Sequence, residues 1–239
     1  MELKKYSKDS NVSYSFGAFP TVELLNNKPQ QVVEIITHEK IASSEELNNI
    51  LKLCKEKNIP IKTNGKLIEK LSGKGNIYIM GVFKKFDSVV DNTHNQVLLV
   101  SPSDMGNLGT IMREMLGFGY TNLSIIKPCA DIFDPKVIRA SMGAIFSMNI
   151  QLFDNINSYL DINHNQKYPF MLQASTPLHS LNSKATPHTL IFGNEATGLC
   201  SNYLNIGTPI IIKHSHQIDS LNLSMSVGIA LYEFSKGNF

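Results

Sequence analysis

The sequence contains few cysteines, few arginines and no long apolar run, and each shortage argues against a class of protein. No apolar stretch approaches the ~18 consecutive residues of a membrane-spanning helix, and the basic N-terminal residues lack the apolar core of a signal peptide. The three cysteines, Cys54, Cys129 and Cys200, are odd in number and widely spaced, so they indicate neither a disulfide framework nor a metal site. We therefore expect a cytoplasmic protein that binds no metal.

The net charge of +2 is too small to indicate a nucleic-acid partner, but the charge is unevenly distributed. Residues 1–90 contain 14 Lys against 10 Asp and Glu, whereas residues 91–239 contain 8 Lys and Arg against 10 Asp and Glu. The N-terminal excess is compatible with binding to phosphate and equally with a solvated lysine surface. The two arginines, Arg113 and Arg139, are more informative, because arginine recognises a phosphate or carboxylate with a fork of donors that lysine lacks.

A polar segment at residues 91–96 divides the chain. Residues 1–90 predict a small α/β domain, in which Ser43 and Glu46 are spaced to form a capping box at the start of a helix. This part contains no candidate catalytic cluster. Its candidates for RNA contact are three lysines: Lys66, Lys70 and Lys74. The expected helices cover residues 20–25, 43–54 and 66–71, and the expected strands cover residues 31–37, 59–62 and 77–83.

Residues 95–239 alternate strand and helix in a rhythm that predicts a mostly parallel sheet with helices on both faces. We expect strands at residues 97–100, 122–127, 148–153, 170–174, 190–192 and 209–213. We expect helices at residues 107–117, 135–142 and 155–162, and from Ser220 onward. The fold class predicted for the whole chain is therefore α/β.

The last of these segments is ambiguous. Its apolar residues alternate with period two from Leu221 to Leu231, which favours a strand. We nevertheless predict a helix, because the sheet needs a C-terminal cover and Ser220 can cap one. Ser224 and Gly228 would give that helix a small face that another helix can approach. A helix that is apolar nearly all round must be buried, so we expect this one at a dimer interface.

The helix predicted at residues 107–117 carries the first candidate site. One face is an apolar stripe that begins at Leu108, and the other combines small residues with one long cation: Gly106, Gly109, Thr110 and Arg113. Arg113 either forms a surface salt bridge or faces a phosphate or carboxylate. The segment from Pro135 to Ala144, which contains Arg139, has proline in its first turn and small residues suited to tight helix packing.

Two further candidates follow predicted strands, at positions where α/β proteins bind ligands. The loop from Gly193 to Gly198 is neither a Walker loop nor a dinucleotide-binding fingerprint. The polar stretch that follows Ile212 contains Ser220 and Asn222. We find no Ser-His-Asp arrangement and no paired carboxylates. The residues alone thus predict a ligand site at strand ends, with anionic RNA as one candidate ligand.

Three of these stretches resemble, in order and spacing, the motifs of the SpoU/TrmH family of RNA ribose 2′-O-methyltransferases, which belong to the knotted SPOUT superfamily. The first motif is similar to residues 104–113, with Asn107, Gly109 and Arg113. The second is similar to residues 192–199, with Gly193-Asn194-Glu195 and Gly198. The third is similar to residues 212–233, with Ser220-Leu221-Asn222. The resemblance covers residues 95–239, and residues 1–90 resemble, less specifically, the ribosomal-protein-like substrate-binding domain that often precedes it.

The resemblance implies a C-terminal trefoil knot, a homodimer and S-adenosylmethionine as the methyl donor. It implies that the methyl group goes to a ribose 2′-hydroxyl of rRNA or tRNA. Backbone near Gly193, Ile212 and Leu221 would hold the adenosine part of the cofactor. The reaction centre would be lined by five side chains: Asn107, Arg113, Glu195, Ser220 and Asn222.

The implied roles of these side chains follow from their chemistry. A guanidinium is a poor base, so we expect Arg113 to hold an RNA phosphate and stabilise the developing alkoxide. Asn107 would position Arg113 or the ribose, and Glu195 would maintain a hydrogen-bond network or favour the sulfonium charge. RNA contact would also involve Arg139 and the three lysines of the N-terminal domain.

The sequence departs from the family at the start of the third motif. The family usually has Ile-Pro-Met and then Gly, whereas Lys213 and His214 follow Ile212 here, and Met105 replaces an expected proline. Two alternatives therefore stay open: an RNA-binding module on the same fold that has lost the cofactor, and a methyltransferase that modifies a base.

Overall fold

The computed structural model describes residues 2–181 and 184–237. The chain forms two compact units, which we call the first and second units. The first unit comprises Met1–Phe86 and Asp131–Ser147, and the second comprises Asp87–Ala130 and Met148–Phe239.

The strands, in chain order, are β1 (Val12–Phe16), β2 (Val32–Thr37), β3 (Ile61–Thr63), β4 (Ile79–Lys84), β5 (Gln96–Val100), β6 (Asn122–Ile126), β7 (Asn149–Phe153), β8 (Gln166–Pro169), β9 (Thr176–Pro177), β10 (His188–Phe192) and β11 (Ile210–Ile211). The helices are α1 (Ala18–Asn27), α2 (Glu45–Glu56), α3 (Gly65–Ser72), α4 (Met105–Gly117), α5 (Pro135–Ala140), α6 (Ile156–Leu160) and α7 (Leu223–Ser235).

The first unit is a four-stranded sheet in the order β1-β4-β2-β3, in which β4 is antiparallel to both neighbours and β2 and β3 are parallel. Apolar side chains on both faces form its core, among them Ile35 and Ile36, which point in opposite directions from β2. Strand β1 was not predicted. Its two serines are fully buried, and the Ser15 and Thr21 hydroxyls lie 3.0 Å apart in a hydrogen bond. Because these residues are polar, the sequence pattern did not indicate a buried strand.

The helix expected from Ser43 begins one residue later. Ser44 is the N-cap of α2, and its side chain accepts a hydrogen bond from the Leu47 N–H at 3.2 Å. The capping box predicted for Ser43 and Glu46 is therefore wrong in register.

Residues 131–147 pack with the first unit, so the division by contact differs from the continuous ranges 1–90 and 95–239. The rings of Phe86 and Phe133 meet edge to face at 5.1 Å, as do those of Phe83 and Phe146. Gly143 has φ +86°, and a Cβ there would lie 2.9 Å from the Cα of Pro20 in α1. Aromatic packing and a backbone approach, rather than chain order, join this segment to the N-terminal part.

The second unit is a five-stranded parallel sheet in the order β7-β6-β5-β10-β8, which confirms the predicted mostly parallel α/β fold. A separate pair joins β9 and β11. The prediction of a strand at residues 170–174 is wrong in position, because the strand that joins the five-stranded sheet in this part of the chain is β8. That strand buries Lys167, whose ammonium donates to the Asn163 carbonyl at 2.6 Å. Because lysine is rarely buried, the residues of β8 did not suggest a buried strand, and the more apolar residues that follow gave the stronger strand signal.

The final segment is a helix, as predicted, and the period-two pattern was misleading. Helix α7 begins at Leu223 with Asn222 as its N-cap, so the cap expected at Ser220 is wrong. Val227, Ala230 and Leu231 are fully buried, whereas Met225 and Tyr232 are 57% and 59% exposed. The helix therefore has an inner and an outer apolar face. Within the described residues, no helix is long and apolar enough to cross a membrane.

Candidate active site

The loop after β10 is shaped by Asn194. Its side-chain Oδ1 accepts hydrogen bonds from the Ala196 and Thr197 N–H groups at 2.9 and 3.2 Å, and its Nδ2 donates to the Ser101 carbonyl at 2.8 Å. The Gly198 N–H closes the loop by donating to the Asn194 carbonyl at 2.9 Å. This loop brings its own backbone so close that a Cβ on Gly193 would lie 2.1 Å from the carbonyl carbon of Gly198. Only glycine fits at that position.

The same loop directs the Glu195 carboxylate to the start of α4. Its Oε2 accepts from the Ser103 N–H at 3.0 Å and the Ser103 hydroxyl at 2.9 Å, and its Oε1 accepts from the Asp104 N–H at 3.1 Å. Burial alone raises the pKa of Glu195, but these donors outweigh it and the pKa is lowered. Glu195 is therefore ionised at neutral pH, and its geometry suits positioning rather than proton donation.

Asn107 links this carboxylate to the start of α7. Its Nδ2 donates to Glu195 Oε1 at 3.4 Å, and its Oδ1 accepts from Asn222 Nδ2 at 3.1 Å. The Oδ1 of Asn222 in turn accepts from the Ser224 N–H at 2.9 Å and caps α7. The structure thus brings together three of the predicted site residues, which come from three separate stretches of sequence.

Arg113 lies farther along α4 and is exposed. Among the described residues it forms no hydrogen bond or ion pair, so its five donors are available to a ligand. Gly109, which was predicted to share its face, is buried with the apolar stripe instead.

The neighbour of Arg113, Glu114, was missed by sequence reasoning. Its Oε2 is buried without a hydrogen-bond partner in the described structure, and burial raises its pKa to about 7.

A cavity of about 230 Å³ opens between the loops of the second unit. The predicted residues Gly193, Glu195, Ile212, Ser220 and Leu221 all line it. The remaining three site residues, Asn107, Arg113 and Asn222, are not part of its wall, although two of them are hydrogen-bonded to each other at its edge.

The cavity wall suits a nucleoside-like group. Phe170 and Phe192 stack with ring centroids 4.5 Å apart on one side, and the glycine-containing loop presents backbone donors and acceptors on another. His214, one of the residues at which the sequence departs from the family's third motif, also lines the cavity. In the described residues, no group of three or more His, Cys, Asp or Glu is placed to hold a metal ion.

Apart from Arg113, which lies in the second unit, the predicted RNA-contact residues belong to the first unit. Lys66 and Lys70 are exposed on α3, Lys74 follows that helix, and Arg139 is exposed on α5. The N-terminus of α3 is already occupied, because both oxygens of Glu39 accept from the Gly65 N–H at 3.0 and 3.2 Å. A phosphate would therefore meet the lysine side chains rather than the helix end. Their binding to RNA stays a prediction.

Comparison with known proteins identifies the family of this chain. Residues 94–232, more than half of the chain, match the model of the SpoU rRNA Methylase family. The chain belongs to the SpoU rRNA methylase family. This SpoU chain is 26% identical over 238 residues to the 23S rRNA (adenosine(1067)-2′-O)-methyltransferase of Streptomyces azureus, and the match covers 95% of this chain and 88% of that protein.

Two other known proteins are similar to this chain. An uncharacterised tRNA/rRNA methyltransferase of Synechocystis sp. is 32% identical over 134 residues, which cover 54% of this chain and only 48% of that relative. The crystal structure of an AdoMet-bound rRNA methyltransferase from Sinorhizobium meliloti superposes with a TM-score of 0.81 at 21% identity, over 96% of this chain and 88% of that one. The fold of this chain is therefore similar to that of the Sinorhizobium meliloti structure over nearly its whole length.

Proposed function

We propose that this SpoU chain is an S-adenosylmethionine-dependent RNA methyltransferase that modifies a ribose 2′-hydroxyl of rRNA or tRNA. The observation that carries the proposal is the hydrogen-bonded link from cavity-lining Glu195 through Asn107 to Asn222. It joins the wall of a nucleoside-sized cavity to polar side chains on two helices. The 2′-O-methyltransferase activity of the Streptomyces azureus relative supports the ribose as the target.

The cofactor would occupy the cavity against Gly193, Ile212 and Leu221, where backbone groups recognise the adenosine part. It supplies a methyl group on a positively charged sulfur. The ionised Glu195 carboxylate favours that positive charge and fixes the surrounding loops. Ser220, on the same wall, offers a hydroxyl to the reacting end. No protein metal ligand is needed for this chemistry.

Arg113 would hold the RNA at the reacting ribose. Its unpaired guanidinium can grip a phosphate with two parallel hydrogen bonds and stabilise negative charge that develops on the 2′-oxygen. It cannot accept the hydroxyl proton, because guanidinium stays protonated. The proton would therefore leave to the RNA phosphate or to water as the oxygen–methyl bond forms and the sulfur–methyl bond of the cofactor breaks. DNA lacks the reacting hydroxyl altogether, so selection for RNA follows from the chemistry.

We propose that residues 1–90 form a domain that binds RNA and that residues 95–239 carry the chemistry. The four cations Lys66, Lys70, Lys74 and Arg139 are exposed and would contact backbone phosphates. We also propose that the protein forms a homodimer through the outer face of α7, where Met225 and Tyr232 expose apolar surface. The C-terminal knot and a cytoplasmic location belong to the same proposal.

Two measurements test the function. Calorimetry should detect binding of S-adenosylmethionine, and labelled cofactor should transfer its methyl group to purified rRNA or tRNA. Absence of cofactor binding would contradict the proposal and favour an RNA-binding module. Cofactor binding without transfer to either pool, or to assembled ribosomal particles, would also contradict it.

Sedimentation of the wild type and of Met225→Glu tests the proposed dimer. The glutamate variant should dissociate it.

A further inference from the structure

His214 presents a hydrogen-bond acceptor at the wall of the candidate cofactor cavity. Its side chain is half-buried, and its Nδ1 lies 3.0 Å from the Ile212 carbonyl oxygen. A carbonyl oxygen can only accept, so Nδ1 carries the proton, and in the neutral ring the other nitrogen is then an acceptor. That nitrogen, Nε2, has no hydrogen-bond partner among the residues that the structure describes. The ring therefore has one acceptor left for a ligand that donates.

The contact with Ile212 places this acceptor at the adenosine end of the proposed cofactor. Backbone near Ile212 is proposed to hold the adenosine part, and the His214 ring is hydrogen-bonded to that same backbone. Adenosine has two kinds of donor, the 6-amino group of the base and the ribose hydroxyls. A hydroxyl can donate or accept, whereas the amino group only donates. The amino group is therefore the part of adenosine that requires an acceptor.

The rest of the wall makes an unpaired amino group costly. Ile211 and Leu221 line the cavity with apolar side chains, and a donor buried without a partner loses its hydrogen bonds to water. Among the described residues that line the cavity, Glu195 is the only carboxylate, and Ser103 already donates to it through its N–H and its hydroxyl. The free acceptor of His214 thus matches the donor that an adenine base would bring.

We infer that His214 selects the adenine base in this cavity, because its Nε2 accepts a hydrogen bond from the 6-amino group. This inference rests on the proposed use of S-adenosylmethionine. A ribose hydroxyl of the same adenosine can donate to the same atom and is the other source of such a bond. His214 is one of the residues at which the sequence departs from the family's third motif, so this selection belongs to the chain and not to the motif.

Matched ligands separate the two donors. S-adenosylhomocysteine, the product of methyl transfer, carries the same adenosine as the cofactor. In S-inosylhomocysteine an oxo acceptor replaces the 6-amino donor of the base. The 2′-deoxy and 3′-deoxy derivatives of S-adenosylhomocysteine each lack one ribose hydroxyl.

Three variants complete the design. His214→Asn keeps an amide donor near the position of Nδ1, so it can still bond the Ile212 carbonyl, but it lacks Nε2. His214→Gln places an amide near the position of Nε2, and this amide can turn either to accept or to donate. Lys213→Ala is the matched control, because Lys213 is the exposed neighbour and does not line the cavity. Thermal unfolding midpoints check that each variant folds.

Calorimetry on the full chain is done at about pH 8, where imidazole side chains are generally neutral. The wild type should prefer the adenosyl ligand over the inosyl ligand by about tenfold or more. In His214→Asn this preference should shrink by about tenfold, the effect of one hydrogen bond. His214→Gln should bind the inosyl ligand more tightly than the wild type does, and Lys213→Ala should keep the wild-type preference.

A preference that is unchanged in His214→Asn, even if both ligands bind more weakly, would show that the ring is only structural and would overturn the inference. A deoxy derivative that binds more weakly than its parent to the wild type, but not to His214→Asn, would overturn it in favour of a ribose hydroxyl. If the wild type binds neither the adenosyl nor the inosyl ligand, the proposed function fails, and the inference fails with it.

Discussion

Asn222 donates its side-chain amide to the Oδ1 of Asn107 at 3.1 Å, which ties the start of α7 to the first turn of α4. The opposite end of the Asn222 amide caps α7 through the Ser224 N–H. One side chain therefore stabilises a helix and positions a residue of the proposed reaction centre. These two roles can be separated by substitution, because the cap needs only an acceptor and the link to Asn107 needs a donor.

Asn222→Asp keeps the acceptor and removes the donor. We expect unfolding stability close to that of the wild type and a fall in methyl transfer of about tenfold or more, since misplaced reacting groups are costly. Asn222→Ala should lose both functions and about 1 kcal/mol of unfolding free energy. Asn155→Ala is the control, because Asn155 caps α6 with a complete capping box away from the cavity. It should lose similar stability and keep its activity. Full activity in Asn222→Asp would show that the link is incidental.

Glu195→Gln should lower both stability and activity. The amide nitrogen would face a backbone donor at Ser103 or Asp104, so at least one hydrogen bond to a charged acceptor is lost. We expect a loss of about 1–2 kcal/mol, at the low end for charged hydrogen bonds because the group is partly exposed. Chemical denaturation at pH 7 measures this, with Glu56→Gln as a control on an exposed carboxylate.

The pH dependence of that difference has a definite sign. The folded-state pKa of Glu195 is lowered, so its stabilisation is present above the unfolded pKa of about 4.3 and is lost as pH falls through the folded value. The stability gap between wild type and Glu195→Gln should therefore shrink below about pH 4. A gap that grows on acidification would contradict the hydrogen bonding assigned to this carboxylate.

Gly193→Ala tests the close backbone approach at the cavity. The new Cβ would lie 2.1 Å from the Gly198 carbonyl carbon and 2.4 Å from the Leu199 nitrogen, so the loop must move. We expect cofactor affinity to fall more than tenfold. Gly117→Ala is a suitable control, since nothing lies within 4 Å of its Cβ position. Unchanged cofactor binding in Gly193→Ala would remove this loop from the site.

Substitution of Arg113 tests its proposed role in binding RNA. Because it does not line the cavity, Arg113→Ala should leave cofactor affinity unchanged within about twofold, while kcat/KM for RNA falls about 100-fold or more. Arg113→Lys keeps the charge but not the fork, so it should restore only part of the loss. Lys127→Ala, which removes an exposed cation of the same unit, should retain activity. Complete rescue by lysine would show that only the charge matters.

The parts of the fold that the sequence predicted are those in which local pattern and packing agree. Helix α4 has a 3.6-residue apolar stripe, and its core residues Leu108, Ile111 and Met112 are buried as expected. Helix α7 was predicted against its own period-two pattern, from the need to cover the sheet. The loop at Gly193 was a weak signal by itself, and its tight closure against Gly198 became evident only in three dimensions.

The errors come from interactions between residues distant in sequence. Strand β1 buries serines whose hydroxyls find partners such as Thr21, which no local pattern reveals. The segment 131–147 packs with the first unit through rings from Phe83 and Phe86. The caps of α2 and α7 shifted by one and two residues, respectively, because several adjacent polar residues could each have served. Glu114 could have been noted only as a charge next to an apolar stripe.

Alkaline digestion of methyl-labelled RNA tests the central claim most directly. Hydrolysis of the RNA chain requires a free 2′-hydroxyl, so a ribose 2′-O-methyl group protects the adjacent phosphodiester bond. If this SpoU chain methylates ribose, the transferred label will appear in alkali-resistant dinucleotides. Label released entirely as mononucleotides would mean that a base is methylated, and it would contradict the reaction proposed here.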